Sequence, residues 1–241
     1  MGLVASFFRS VGTRLAAFGG TPRRARAAYE AATPRSDNAA HWAAADSLSA
    51  LATDTASVRA ELRRKCRHEV QNNCYARGIV DAVADYVVGT GPRLQVRGAM
   101  PVESAQAIEA AWRVWWDGVS GTEKLALMPL ARAQDGEGFL RIVSDPFGPD
   151  RTELGLVAVE ADQIDLPLGK LTTDGNDDAV ERDAAGNIVG YWVLDEHPGD
   201  VGAGFGMRGS VVSSMWVLRY WKAQRAGQSR GVPQITPALE R

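Results

Sequence analysis

The stretch Asn72-Asn73-Cys74-Tyr75-Ala76-Arg77-Gly78-Ile79-Val80-Asp81-Ala82-Val83-Ala84-Asp85-Tyr86-Val87-Val88-Gly89-Thr90-Gly91-Pro92-Arg93-Leu94-Gln95 joins two helices, and its reading sets the architecture of the chain. Upstream of it, Val58, Leu62, Cys66 and Val70 recur every four residues and share one helical face, while Arg59, Arg63, Arg64 and Arg67 lie largely off that face. This predicts an amphipathic helix with a basic flank. Asn72 and Asn73 break it, since Asn tolerates left-handed or extended geometry and its side chain can cap the next helix. Tyr75, Ile79, Val83, Tyr86 and Val87 carry a second apolar stripe to Val88. Gly89-Thr90-Gly91-Pro92 ends that helix, because glycine fits the conformation after a helix C-terminus and proline cannot continue the turn. The segment holds no reactive constellation and reads as architectural.

Working outward, 241 residues with 45% hydrophobic side chains suffice for one large domain or two modest ones with a real core. No apolar run approaches a bilayer span, and Met1-Gly2-Leu3-Val4-Ala5-Ser6 lacks the charged start and long apolar centre of a secretory signal. That start matches the short myristoylation pattern, which needs a eukaryotic acyltransferase. Two cysteines make no disulfide scaffold and have no metal-ligand spacing, so a reducing compartment is the simplest reading. Cys66 and His68 point in different directions on one helix, as a buried thiol beside a surface histidine.

Charge is uneven: residues 1–80 carry 12 Arg/Lys against 6 Asp/Glu, and the remainder 15 against 23. A basic arm on an acidic body follows, with nucleic acid, an acidic protein surface or plain solvent as its partner. Residues 1–54 are rich in Ala, Arg, Ser and Thr, and are expected to be a partly disordered amino-terminal arm with fast amide exchange. Tyr29, Trp42 and Leu48 are its large apolar side chains, either anchors on a neighbour or a local cluster.

From Val102 the helical period returns, with Ala105, Ile108, Trp112 and Trp115 on one side and Trp116 at its edge, a tryptophan cluster that reads as core. Glu123 to Gln134 reads as a further helix with Leu125, Met128 and Leu130 inward and Pro129 as a kink or boundary. The period then changes. Phe139–Val143, Leu154–Val159, Ile188–Leu194 and Val211–Tyr220 read as strands of an antiparallel sheet, with a turn at 183–187. The fold class is α+β: amino-terminal helices followed by a mainly antiparallel sheet, in a domain spanning residues 55–241.

Three motifs invite chemistry. Gly227-Gln228-Ser229-Arg230-Gly231 matches the nucleophile elbow of α/β hydrolases, but Lys222 to Ala226 separates Ser229 from the preceding strand and no histidine follows it to complete a triad. Read as a turn, it predicts that Gly231→Val disturbs the backbone if Gly231 takes positive φ. Gly204-Phe205-Gly206-Met207-Arg208-Gly209 matches the dinucleotide fingerprint, yet it opens no helix and reads as a connecting loop. Asp135/Glu137, Glu160/Asp162/Asp165 and Asp174/Asp177/Asp178 offer oxygen ligands without metal-loop spacing, and read as solvated turns. No catalytic residue, cofactor site or metal site is assigned.

The chain resembles the lambda-type bacteriophage portal proteins. The resemblance rests on the Asn72 to Gln95 stretch and on Tyr29-Glu30-Ala31-Ala32, Arg35 and Trp42. Trp112 to Trp116, Asp135-Gly136-Glu137-Gly138-Phe139-Leu140-Arg141, Glu160-Ala161-Asp162-Gln163-Ile164, Gly190-Tyr191-Trp192-Val193 and Gly227-Gln228-Ser229-Arg230-Gly231-Val232-Pro233 extend it in family order. Departures are Gln71 for Arg, Cys74 for Pro and Ala226 for Pro. The matching positions Asn72, Asn73, Arg77, Gly89, Gly91, Asp135, Gly136, Glu137, Asp162, Gly227, Gln228, Arg230, Gly231 and Pro233 are expected to be structural.

The resemblance implies a wing-like domain of a homo-oligomeric ring at one vertex of a phage or prophage head, through which double-stranded DNA is packaged and ejected without sequence preference. The implied partners are other portal subunits, terminase, capsid and head-completion proteins, with no membrane. The implied location is the virion, after assembly in the bacterial host cytoplasm. Because the family's later segments are not reached and a helix begins at Pro237, the subunit is expected to be truncated at its carboxyl end and not to close a stable ring. The rival classes are a basic-arm nucleic-acid-binding module and a serine hydrolase using Ser229.

Overall fold

The computed structural model describes residues 40, 43, 45–146, 153–200 and 207–239. The chain divides into two units, residues 1–47 and 48–241. Residues 1–39 of the expected mobile arm, the anchors Tyr29 and Trp42, and residues 204–206 of the glycine-rich loop lie outside the described residues. In the second unit the described helices are α1 (Ala50–Thr53), α2 (Ala56–Asn72), α3 (Cys74–Val88), α4 (Val102–Gly118) and α5 (Gly121–Asp135). The strands are β1 (Glu137–Ser144), β2 (Leu154–Val159), β3 (Val180–Arg182), β4 (Ile188–Leu194), β5 (Gly209–Ser213) and β6 (Val217–Trp221). Helices come first and antiparallel strands after, so the fold is α+β. No helix among the described residues is long and apolar enough to cross a membrane.

The junction at 72–73 forms as its chemistry dictates. Asn73 is extended (φ −117°, ψ 113°) and its Oδ1 accepts the Tyr75 and Ala76 amides, which the first turn of α3 would otherwise leave unpaired. Gly89, at φ 54°, terminates α3 and donates its amide to Asp85 O. Gly91, at φ 83°, lies so close to α5 that a Cβ there would sit 2.5 Å from Thr122 Oγ1.

The apolar faces, however, are rotated from those the spacing predicts. On α2 the buried residues are Arg59, Arg63, Cys66 and Val70, while Val58 is 42% exposed. The guanidiniums turn inward because carboxylates wait for them there. On α3 the buried residues are Val80 and Ala84, and Tyr75, Ile79, Tyr86 and Val87 are exposed. The small side of that helix packs on α5, in a cluster of Val70, Val80 and Ala133 with Leu130 and Ile235 around it. The tryptophan helix α4 buries no residue fully; Trp112 and Trp116 stack at 5.3 Å, and Trp115 Nε1 donates to Leu154 O at 2.8 Å. These rings are half-buried packing on the surface of the helical layer rather than core. Nor does Pro129 end a helix: α5 runs through it.

Two three-stranded antiparallel sheets follow, in the orders β2-β1-β6 and β3-β4-β5. Phe139 stands opposite Val159 on one side and Arg219 on the other. Val211 to Tyr220 is not one strand. Ser213 Oγ accepts the Met215 amide and a single 3₁₀ turn, Ser214–Trp216, carries the chain from one sheet to the other. β3 escapes the pattern reading because it is three residues long. Both sheets contribute to one apolar cluster, in which Phe139 meets Tyr191 edge-on at 5.8 Å among Ile164, Val180, Val193 and Val217. A 3₁₀ turn at Thr236–Ala238 stands where the sequence predicts a helix at Pro237.

Candidate structural centre

Between the sheet cluster and the helical cluster lies a buried carboxylate. Glu137, the first residue of β1, has no exposed surface. Its Oε1 accepts Arg63 Nη2 at 2.8 Å and Arg230 Nε at 2.6 Å. Its Oε2 accepts Arg219 Nη2 at 2.6 Å, Arg219 Nε at 3.1 Å and the Gly231 amide at 3.2 Å. Burial alone would push this carboxyl up, but Arg230, Arg219 and Arg63 outweigh it and hold the group at about 2. An isolated charge here would cost several kcal/mol; three guanidiniums in hydrogen-bonding geometry make it tenable.

Arg230, Arg63 and Arg219 also donate to backbone carbonyls, which is how the centre ties distant segments together. Arg230, 1% exposed, gives Nη1 to Ile164 O and Asp178 O, both at 2.8 Å, and Nη2 to Ala161 O at 3.1 Å. Arg63 spans Asp135 O, Ala161 O and Asp162 Oδ1 at 3.1–3.2 Å. Arg67 pairs Nε with Asp135 Oδ1 at 2.6 Å and Nη1 with Asp162 Oδ2 at 2.5 Å. Arg219 donates to Ser229 O at 2.7 Å and lies 3.9 Å from the centre of the Trp221 ring. Helix α2, the α5–β1 turn, the loop after β2, strand β6 and the segment 229–231 all converge on one carboxylate.

The turn that places Glu137 depends on two glycines. Gly136 has φ 92°, where only glycine is unstrained, and Gly231 passes so near that a Cβ on it would lie 2.2 Å from Gly136 O. Gly231 itself is not among the residues of positive φ, so close approach rather than dihedral angle makes it glycine.

Of the positions singled out in the sequence, Asp135, Gly136, Glu137, Asp162, Arg230 and Gly231 meet in this centre. Gln228 braces it from outside, accepting the Gln224 amide at 2.7 Å and donating to Arg230 O at 2.8 Å, after a turn at Gly227 (φ 80°). Pro233 is buried nearby, and the next residue's amide donates to Ala133 O at 3.0 Å. Asn72, Asn73, Gly89 and Gly91 instead shape the two ends of α3. Arg77 is exposed and pairs with Asp81 at 2.8 Å.

The acidic groups are therefore not all solvated turns: Asp135 is 4% exposed, and Asp178 is fully buried and bonded to Arg182. Sequence reading missed Arg63, Arg67 and Arg219 as members. Their signal was present in the four-residue spacing of Arg59, Arg63 and Arg67 beside Cys66 and Val70, and in the strand alternation that puts Arg219 on the side of Val217. Of the basic flank of α2, Arg63 and Arg67 are spent on internal carboxylates, whereas Arg64 stays at the surface beside Glu61. Ser229 contributes its carbonyl, not its hydroxyl, to the contacts above. Glu160, Asp162 and His197 bring one ligand atom each within 4.8 Å of one another, but Asp162 there is bonded to Arg63 and Arg67.

A helical layer and two small sheets are thus tied together through one buried ionic centre. The chain belongs to the lambda family of phage portal proteins, whose sequence model matches residues 35–241. A comparison with curated proteins finds no match.

Proposed function

We propose that this chain is a subunit of the portal ring at one vertex of a phage or prophage head, the passage for DNA during packaging and ejection. The observation that carries the reading is the family match over residues 35–241. Its mechanism is geometric. Copies related by a rotation that closes meet through two different faces of each subunit and enclose a channel, and DNA passes through it held only by non-specific contacts to phosphates. In this reading the ionic centre around Glu137 keeps helices and sheets in one fixed relation, so that interfaces on separate elements meet their neighbours in register. The fourteen family-motif positions, from Asn72 to Pro233, act as structural residues. Terminase, capsid and head-completion proteins are the partners, the host cytoplasm is the place of assembly, and the virion vertex is the destination. Native mass spectrometry and negative-stain electron microscopy of the purified chain test this: closed rings of uniform copy number would support the reading and overturn the expected truncation, whereas a well-folded monomer with an enzymatic turnover of its own would overturn the reading.

A further inference from the structure

We propose that the cavity between α2 and the segments 162–165 and 197–199 is a binding site for a small oxyanion, a phosphate group, received by the guanidinium of Arg59. Nothing in this depends on the ring reading above. The cavity measures about 650 Å³, within the range of sites that enclose whole small molecules. Five arginines and two aspartates line it.

Four of those arginines already have carboxylates. Arg63 and Arg230 bond Glu137, Arg67 bonds Asp135 and Asp162, and Arg64 pairs with Glu61. Arg59 is the exception. It is 2% exposed, yet among the described residues no carboxylate lies within ion-pair distance of it, and its hydrogen bond goes to the backbone carbonyl of Asp54. Burial and the neighbouring Arg230 press its pKa down to about 10, so the group keeps its charge at neutral pH. A cation withdrawn from water without a bonded anion is a site waiting for one.

The surroundings favour an anion. In reaching Asp54 O, Arg59 sets its guanidinium at the N-terminal end of α2, where the dipole of a 17-residue helix is positive and the first turn holds no acidic side chain. Ala56 and Ala60 leave room beside it. On the facing wall, His197 Nδ1 accepts the Gly199 amide at 3.0 Å, so in the neutral ring Nε2 carries the proton. That N–H and Arg67 Nη2 are buried donors that make no hydrogen bond, although Glu160 Oε2 stands 3.3 and 3.5 Å from them. The same tautomer speaks against a cation held by Glu160, Asp162 and His197, because a metal on Nε2 would need the proton on Nδ1. The two aspartates of the wall are engaged: Asp162 with Arg63 and Arg67, and Asp165 with the Leu166 amide at 2.8 Å.

Burial also sets the size of the ligand. A guanidinium this enclosed is out of reach of a duplex backbone, whereas a small molecule can enter. A phosphate group offers at least three acceptor oxygens to donors on both walls, where a carboxylate offers two.

The test is calorimetric titration of the full chain at fixed chloride with inorganic phosphate, with ribose 5-phosphate and with ribose. Both phosphates are expected to bind and ribose is not. Arg59→Met keeps most of the volume and removes the charge, and should weaken phosphate binding at least tenfold. Ala60→Trp, at an exposed position of α2, fills the cavity mouth and should weaken it as much with far-UV circular dichroism unchanged. Arg97→Met, which removes an exposed charge elsewhere, should leave affinity within twofold. An ester at least tenfold tighter than inorganic phosphate supports a phosphorylated small molecule as the ligand, and equal affinities support the free anion. No heat from either phosphate at about 10 mM overturns the site. Equal weakening by Arg97→Met and Arg59→Met, or undiminished binding in Ala60→Trp, overturns it too, since either would show phosphate held by general surface charge.

Discussion

Glu137 carries three guanidiniums and a backbone amide on its two carboxylate oxygens, so both its charge and its length matter at this position. Glu137→Gln keeps the volume and removes the charge, leaving Arg219 and Arg230 without a carboxylate partner in a buried site and Arg63 with Asp162 alone. We expect it to cost about 3–5 kcal/mol, read as a lower urea midpoint. Acid should do the same to the wild type. With its folded value held near 2 against an ordinary 4.5, the carboxylate contributes fully above about pH 4.5, and that contribution drains away as pH falls from there towards 2. Asp54 has the opposite sign. Burial pushes its carboxyl up to about 6 despite Arg59, so it favours the folded chain only once protonated, and that contribution is lost as pH rises from about 4 through 6. Urea midpoints between pH 7 and 3 should therefore fall steeply only below pH 4.5, and in Glu137→Gln that acid limb should flatten; an unchanged limb would show that other carboxylates govern it.

At the scale of elements, the caps and turns were the most legible part of the chain, because they follow from local chemistry. Asn73 caps α3 with its own side chain, so Asn73→Ala should cost about 1 kcal/mol. Gly78→Ala should do the reverse and stabilise the isolated subunit by roughly 0.5–1 kcal/mol, since the added methyl meets nothing among the described residues. Gly231→Ala must displace the Gly136 carbonyl, and an overpacking loss of about 1–3 kcal/mol is expected. Thermal melts of the three variants rank them, and a Gly231→Ala chain as stable as wild type would remove the close-approach account. Which face of a helix turns inward was not legible. The stripe of Tyr75, Ile79 and Tyr86 looks like core by period alone, and a single sequence does not distinguish an apolar face that packs within the subunit from one left exposed. The arginines of α2 misled in the opposite direction, because their partners lie about 70–100 residues away on other elements. Val211 to Tyr220 read as one strand because the period-two pattern continues across a turn that only Ser213 and Ser214 signal.

For the whole molecule, two apolar clusters are joined by something that is not apolar. Phe139, Tyr191 and their neighbours hold the sheets together, and Val70, Val80 and Ala133 hold the helices. Between these clusters stand Glu137 and its arginines, drawn from α2 on one side and from β6 and the 229–231 segment on the other. The sequence showed both apolar groups in outline, as a helical half and a strand half. It showed the acidic and arginine residues between them only as separate family motifs, since no local rule makes Arg230 face Glu137. If the ionic centre is what couples the clusters, the wild-type domain should unfold in one step, with tryptophan fluorescence and far-UV circular dichroism changing together in urea. Arg230→Met removes one charge, three carbonyl contacts and the bond to Glu137 while filling much of the same volume. Its expected result is separation of the two signals: the helices, whose cluster includes Ile235 just beyond the lost arginine, lose structure at lower urea than the sheets, and the denaturant slope of each transition falls below that of the wild type. Coincident transitions at a lower midpoint would mean instead that the α5–β1 connection and direct packing suffice for coupling, and that the arginines set stability without setting cooperativity.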